Sequence, residues 1–393
     1  MVNQRRALRA AVLFALACAA AAARAQAGDF AGADGTGDNA GLSGYYKNLL
    51  VRSRTVTGED RPYWLDVNRL RLEKKGSLSD ALSYDVQYDN EVLLGSYLDT
   101  GQFQSQKAIP TGQYWDMDNT YHDRGAVFGR QRIYRGYLTW SKGETDVRLG
   151  RQRIAWGSGR FWSPLDVLNP IDPTALEREE RVGVDALLVE RKLGSVSRVS
   201  FVYAPQRERG NNAFALQWHG NREGIDFSVM AMRFMGARVL GAELSGQLGG
   251  AGLRAEASRT VPTEGLPATR AVIGVDYAFE NTLAITGEAY FNGAGARARR
   301  DYDFASLLSG RIQSLARHYA GVHVAYDFTP LLKLNTHLLA NLDDGSRFIA
   351  PSVSYAWKTS LDVSVGAQYG AGDGASEFGR FRKLIYVQLQ RFF

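Results

Sequence analysis

The sequence predicts an all-β chain: a transmembrane, antiparallel, up-and-down β-barrel of about 18 strands in an outer membrane. Three observations carry this reading. Past the first residues, short segments alternate apolar and polar side chains with the two-residue period of a strand. The connections between those segments sort into short and long by turns. The composition holds 42 Gly, 19 Tyr and 18 Phe against only 10 Pro, with no long helical periodicity. Past the N-terminus, no apolar run is long enough to be a membrane helix.

The chain opens on an export signal. Arg5, Arg6 and Arg9 precede the apolar run Ala10 to Ala22, and Ala23, Ala25 and Ala27 offer small residues for cleavage. This predicts a signal peptide over 1–25 and a mature start at Gln26 or Gly28. A lipoprotein reading of Cys18 fits less well, because Ala15-Leu16-Ala17 is a poor lipobox and the apolar run continues past it. Cleavage removes the only cysteine, so the mature chain has no internal disulfide. It also removes four of the 47 Lys and Arg and none of the 41 Asp and Glu, leaving 43 cations against 41 anions. The basic balance therefore belongs largely to the signal, and no nucleic acid is expected as a partner. Residues 26–42, rich in Gly, Ala and Asp, read as a flexible tail. They are too few for the folded plug of an energy-coupled transporter.

The barrel is expected over 43–393. Its strands fall near 43–53, 63–74, 82–93, 132–141, 144–152, 184–192, 196–204, 212–219 and 225–233. The rest fall near 237–247, 252–259, 269–278, 282–291, 318–327, 331–341, 347–357, 359–369 and 382–393. Leu240, Ala242, Leu244 and Leu248 oppose Gly241, Glu243, Ser245 and Gln247; Val363, Val365, Ala367 and Tyr369 oppose Asp362, Ser364, Gly366 and Gln368. From Leu65 to Glu73 the alternation slips, as a bulge would make it. Gly76 to Ser79, Ser141 to Gly143, Leu193 to Ser195, Gly220 to Arg222, Gly249-Gly250, Phe279 to Asn281, Phe328 to Pro330 and Lys358 mark tight turns. The other connections include the long ones, near 94–131, 153–183, 260–268, 292–317 and 370–381. A membrane barrel sorts its loops this way, with short periplasmic turns on one rim and long loops on the other. An even strand number brings the last strand to the first, and lipid tolerates no open edge. Tyr134, Trp140, Trp218, Tyr326, Tyr355 and Trp357 suit aromatic girdles at the membrane interfaces.

The final strand, KLIYVQLQRFF, places Ile385, Val387, Leu389 and Phe393 on one face. It resembles the assembly signal of bacterial outer-membrane proteins, which implies the barrel-assembly machinery as a partner. Arg391 departs from that pattern. The stretch DVRLGRQRIAWGSGRFWSPLDVLNPIDP, Asp146 to Pro173, resembles the alginate-export family of porin-like barrels and a related group of porin-like proteins with a Gly-Arg-Gln strand. The resemblance to the alginate-export family implies an eighteen-stranded channel with a basic lumen.

The polar faces supply the candidate pore lining: Arg69, Arg71, Arg148, Arg198, Glu243, Arg254, Glu256, Glu288, Lys333 and Asp362. Rings of one sign select ions of the other, whereas alternating signs also form ion pairs across strands. Loop 153–183 is the candidate constriction. Its Trp156, Phe161 and Trp162 are too apolar for a loop in water, and Arg153, Arg160, Asp166 and Asp172 travel with them. Asp172-Pro173 reads as the start of a short helix running into residues 177–181. A second helix is expected where Asp303 precedes Phe304, Leu307, Leu308, Ile312 and Leu315. Arg297, Arg299 and Arg300 before it face solvent, lipopolysaccharide phosphates or an incoming polyanion. His323 and His337 share the lumen, but no nucleophile elbow or zinc motif accompanies them. Asp116 to Asn119 lacks the glycine and distal glutamate of a calcium loop. No cofactor or metal is expected. The function that follows is a passive channel for hydrophilic, anionic solutes, with export of an anionic polysaccharide such as alginate within that reading. A structural barrel and a barrel-embedded hydrolase are the alternatives. Outer-membrane lipid, lipopolysaccharide and the solute are the remaining partners.

Overall fold

The computed structural model describes residues 41–56, 59–109, 113–178, 180–208, 210–303, 306–307, 312 and 314–393. The signal peptide, most of the tail, and Phe304 and Leu308 of the expected second helix lie outside the described residues. The strands are β1 (Ser43–Arg54), β2 (Pro62–Ser79), β3 (Leu82–Leu94), β4 (Asp118–Arg124), β5 (Val127–Lys142), β6 (Thr145–Gln152) and β7 (Val184–Lys192). Then come β8 (Arg198–Ala204), β9 (Ala213–Arg222), β10 (Ile225–Phe234), β11 (Ala237–Leu248), β12 (Ala251–Val261) and β13 (Ala268–Ala278). The last are β14 (Ala284–Asn292), β15 (His318–Asp327), β16 (Leu332–Asn341), β17 (Arg347–Lys358), β18 (Leu361–Ala371) and β19 (Leu384–Phe392).

All belong to one antiparallel sheet that closes on itself, because β1 pairs with both β2 and β19. At the seam, Gly44 N–H donates to the Phe393 carbonyl at 2.9 Å and Phe393 N–H returns to Gly44 at 3.1 Å. β4 was not expected. It pairs only with β5, so eighteen strands make the circuit and β4 is an addition from the long 94–131 connection. Side chains alternate as the sequence pattern requires: Leu240, Leu244, Ile273, Val275, Val365 and Val387 lie on the outer wall, exposed in the free chain. Trp140, Trp218, Tyr326, Tyr355 and Trp357 are outward near the short-turn rim. Phe227, Tyr277, Phe279 and Phe328 join them in edge-to-face pairs.

Four expectations change. Tyr134 is no girdle residue: a register shift opposite Gln87 and Tyr88 makes it the extra residue of a bulge and turns it inward. Its hydroxyl donates to the Arg181 carbonyl at 2.8 Å, and the Arg71 guanidinium lies 3.6 Å from its ring centre. The slip from Leu65 to Glu73 is not a bulge, since pairing with β1 and β3 is unbroken there. The faces are exchanged in polarity instead: Leu65 and Val67 point inward, Asp66 and Asn68 outward. Gly76 to Ser79 and Gly220 to Arg222 extend strands, and the second hairpin turns at Glu223-Gly224, with φ of 55° and 81°. The helix expected after Asp172 is absent among the described residues. Asp172 Oδ1 accepts from Thr174 N–H at 2.8 Å and the chain continues in turns, because Glu177, Arg178 and Glu180 reach for separate walls.

The core lies inside the barrel. Ile154 and Leu165 of loop 153–183 pack on Ala186, Leu188, Val202, Ala213, Met230 and Val239 of β7 to β11. Phe161 and Trp162 join Val272, Tyr290, Tyr319, Leu339, Phe348 and Phe378. Helix α1 (Gly101–Lys107), capped by Thr100, lays Phe103 over Phe128, Tyr63 and Leu65. The 94–131, 153–183, 292–317 and 370–381 connections thus all place side chains inside the barrel. Removing β19 leaves β1 and β18 with unpaired edges, and the fully heat-modifiable band of a closed barrel on cold gel electrophoresis is expected to vanish. A truncated chain that still shows that band would contradict the closure.

Candidate functional site

The Gly-Arg-Gln strand ends where the inward loop leaves the wall. Gly150 has φ of 132°, and a Cβ there would strike the Gly136 carbonyl, so only glycine lets β6 bend at this point. Arg151 is fully buried: it pairs with Asp185 on β7 at 2.9 Å and donates to the Ile133 and Trp115 carbonyls. Gln152 donates to the Ala186 carbonyl at 3.0 Å. Beyond Gln152 the edge of β5 that β6 has left is taken by β4, whose residues pair with Val127 to Arg132.

The loop then crosses to the far wall, held by two carboxylates. Gly157 and Gly159 turn the chain tightly around Glu256 of β12, which accepts from the Ser158 and Gly159 amides at 2.5 Å and from Ser163 Oγ at 2.8 Å. Glu288 of β14 accepts from the Arg160 and Phe161 amides at 2.5 and 2.8 Å. These short charge-assisted bonds satisfy buried anions that would otherwise be costly. Trp162 stacks on Tyr290 with centres 5.4 Å apart, and its indole donates to Ser314. The return limb is tied by opposite charges. Glu177 accepts from Lys47 and, in a fork, from Arg69; Glu180 meets Arg71 at 2.9 Å and the Tyr45 hydroxyl at 2.7 Å. Burial alone raises the Glu180 carboxyl, but Arg71, Arg69 and Lys47 outweigh it and bring it to about 2. Arg178 reaches His337, which stacks on His323 with ring centres 4.5 Å apart.

This segment stands between open spaces. Residues 170–174 line a cavity of about 370 Å³ beside Phe378 and Phe381. Residues 175–178 line one of about 850 Å³ towards the short-turn rim, with His323, His337, Gln368 and Gln388. A third, of about 580 Å³, holds Arg153, Arg160, Arg181 and Arg254 against Asp166, Asp226 and Asp276. Arg160 lines both of the larger ones, and no carboxylate stands at ion-pair distance from it among the described residues.

The candidate lining residues Arg69, Arg71, Arg148, Arg198, Glu243, Arg254, Glu256, Glu288, Lys333 and Asp362 all point inward, but they do different work. Arg69 and Arg71 are tied to Glu91 and Asp89 of β3 as well as to the loop. Lys333 pairs with Asp327, and Arg198 lies 3.9 Å from Glu190. Arg148 sits over the Tyr137 ring. Of the loop residues, Phe161 and Trp162 are wholly buried, Trp156 packs on the β7 to β11 cluster, and Asp166 pairs with Arg181 at 2.7 Å. Asp89, Glu91, Arg130 and Arg132 were missed. Arg130 and Arg132 both reach Glu91. Arg130 precedes the strand predicted at 132–141, and the bulge at Tyr134 hides the inward direction of Arg132.

Glu177→Gln with Glu180→Gln removes the charges tying the return limb, and single-channel current noise should rise at least several-fold while the mean barrel signature persists. Quiet traces in that double variant would show that the limb is held otherwise. Trp162→Ala should lower stability by about 3–5 kcal/mol, read as an earlier unfolding transition in detergent. Burial raises Glu377 from its ordinary 4.5 to about 6, against the bonds from Tyr319 and Asn341. The stabilisation of its protonated form is complete below about 4.5 and is lost as pH climbs through about 6. The melting temperature of the wild type should therefore fall relative to Glu377→Gln between pH 4.5 and 7, by the equivalent of about 2 kcal/mol. Parallel curves would remove Glu377 from this role.

No protein-family model and no curated protein matches the sequence. Solved structures do resemble it. OccD3 (OpdP) of Pseudomonas aeruginosa is 10% identical, with a TM-score of 0.54 over 91% of this chain and 93% of that one. OccK5 (OpdH) of Pseudomonas aeruginosa is 9% identical, with a TM-score of 0.56 over 89% and 97%. A double variant of OccD1 (OprD) is 10% identical, with a TM-score of 0.56 over 90% and 94%. The chain therefore has the fold of porin-like outer-membrane β-barrels.

Proposed function

We propose that the chain is a passive outer-membrane channel for small hydrophilic solutes, with a preference for anions. The observation that carries the preference is the setting of the charges along the inward loop. Glu177, Glu180, Glu256 and Glu288 are all occupied by amides or wall cations, whereas Arg160 faces both larger cavities with no carboxylate at pairing distance. An anion passing between those cavities meets its guanidinium, a planar donor suited to carboxylates and phosphates. The similarity of fold to OccD and OccK structures supports a channel in an outer membrane. His323 bonds Asn335 and His337 bonds Arg178, with no hydroxyl nucleophile on either among the described residues, which favours a channel over a hydrolase. Export of an anionic polysaccharide such as alginate is the second reading, favoured by the Gly150 to Gln152 motif. It requires the 170–178 segment to move aside. Ile385 and Val387 face outward at the seam, as recognition by the barrel-assembly machinery would need, with Leu389 in step between Asn48 and Val363 and Phe393 ending the chain.

In a planar bilayer with a salt gradient, the refolded protein should give an anion-selective reversal potential. Arg160→Ala should shift that potential towards zero by a third or more and should weaken block by added polyuronate. A reversal potential unchanged in Arg160→Ala would sink the assignment. Absence of any conductance would sink the channel.

A further inference from the structure

The outer wall is not uniformly apolar. On β6 to β19, outward polar residues lie within three positions of a strand end, apart from Thr336, among the described residues. On β1, β2, β3 and β5, Asn48, Asp66, Asn68, Lys74, Asn90 and Gln131 stand four or more positions from either strand end, Asn68 being covered by its neighbours. Their outward direction follows from register. Asn48 stands opposite Leu389, in step with the exposed Val387, and Asn68 stands opposite Asn48. Asn90 pairs with Leu70, and Gln131 pairs with Asn90.

These side chains bond to one another. Asp66 Oδ1 accepts from Asn48 at 2.6 Å and Asn68 at 3.2 Å, and Asn48 also donates to Asn68 at 3.1 Å. Tyr88 donates to Gln131 at 2.8 Å, and Tyr121 of β4 to Asn90 at 3.2 Å. The bonding is incomplete: Asp66 Oδ2, the Asn90 amide donor and the Gln131 amide donor have no partner among the described residues. Lys74, outward on β2 opposite the exposed Val86, has no carboxylate at pairing distance there either. Hydrocarbon offers none of these groups a partner. The patch carries spare donors and spare acceptors, a spare cation and a half-bonded anion, at a fixed depth in the wall. A neighbour must present the same mixture at the same depth. A copy of this chain inserted in the same direction does so by construction.

We infer that the outward face of β1, β2, β3 and β5 is an interface with a second copy of this chain, standing beside it with parallel barrel axes. The assignment rests on this wall facing lipid in the single barrel. It does not depend on what the lumen conducts.

Cysteine cross-linking in membranes tests it, because the only native cysteine, Cys18, lies in the expected signal peptide. Asn90→Cys treated with a short bis-maleimide should give a band of two chains, at least tenfold stronger than Ile273→Cys on the opposite wall. Asp66→Leu with Asn68→Leu should run as a single barrel on native gels while keeping its heat-modifiable band. If that double variant does not fold, the cross-linking comparison alone decides. Equal cross-linking at the two positions would overturn the interface. A cross-link from Asn90→Cys to a different protein would overturn the second copy as its occupant.

Discussion

Two buried glutamates decide what this barrel encloses. A strand circuit of eighteen would leave a wide lumen, and an unpaired carboxylate on its wall would sit in water. Glu256 and Glu288 instead spend their charge on consecutive loop amides. That places Trp162 against Tyr290 and brings the rest of the loop across. The return limb reverses the arrangement, with the carboxylates on the loop and the cations on the wall. Such buried ion pairs add little net stability over apolar packing, but breaking one side is expensive. Their effect here is positional: they fix one path across the lumen, and the aromatic packing then stabilises that path.

The same reciprocity shapes the electrostatics of the passage. Arg69, Arg71, Arg130, Arg132 and Lys47 look like a basic stripe when counted by strand. Asp89, Glu91, Glu177 and Glu180 cancel most of it. Arg160 on the loop stands outside these pairs and faces both larger cavities. Selectivity in such a wall is set by which charges are left over, not by how many there are.

The barrel itself was legible because its signal is repeated: eighteen alternating segments, loops sorted by parity, and aromatics in phase with the apolar face. The inward loop was legible from Trp156, Phe161 and Trp162, whose apolar area has no place in water. Its partners were not, since Glu256 and Glu288 lie about a hundred residues away and any inward carboxylate would look the same in sequence. Tyr134 shows a second limit. One inserted residue in β5 shifts the alternation, with even positions inward before it and odd positions inward after it, so period-two reasoning carried back from Trp140 puts Tyr134 on the wrong face. Leu65 to Glu73 shows the converse: a lapse in alternation read as geometry was a true change of chemistry on both faces.

Where β6 turns inward, β4 supplies the strand that β5 would otherwise lack. The two excursions, 94–131 and 153–183, are therefore one construction. Shortening the first would bare the edge that the second abandons, and restoring a full-length β6 would leave β4 without a place. Among related barrels, insertions and deletions in these two segments should be inherited together, as a single unit of change separated by an untouched hairpin.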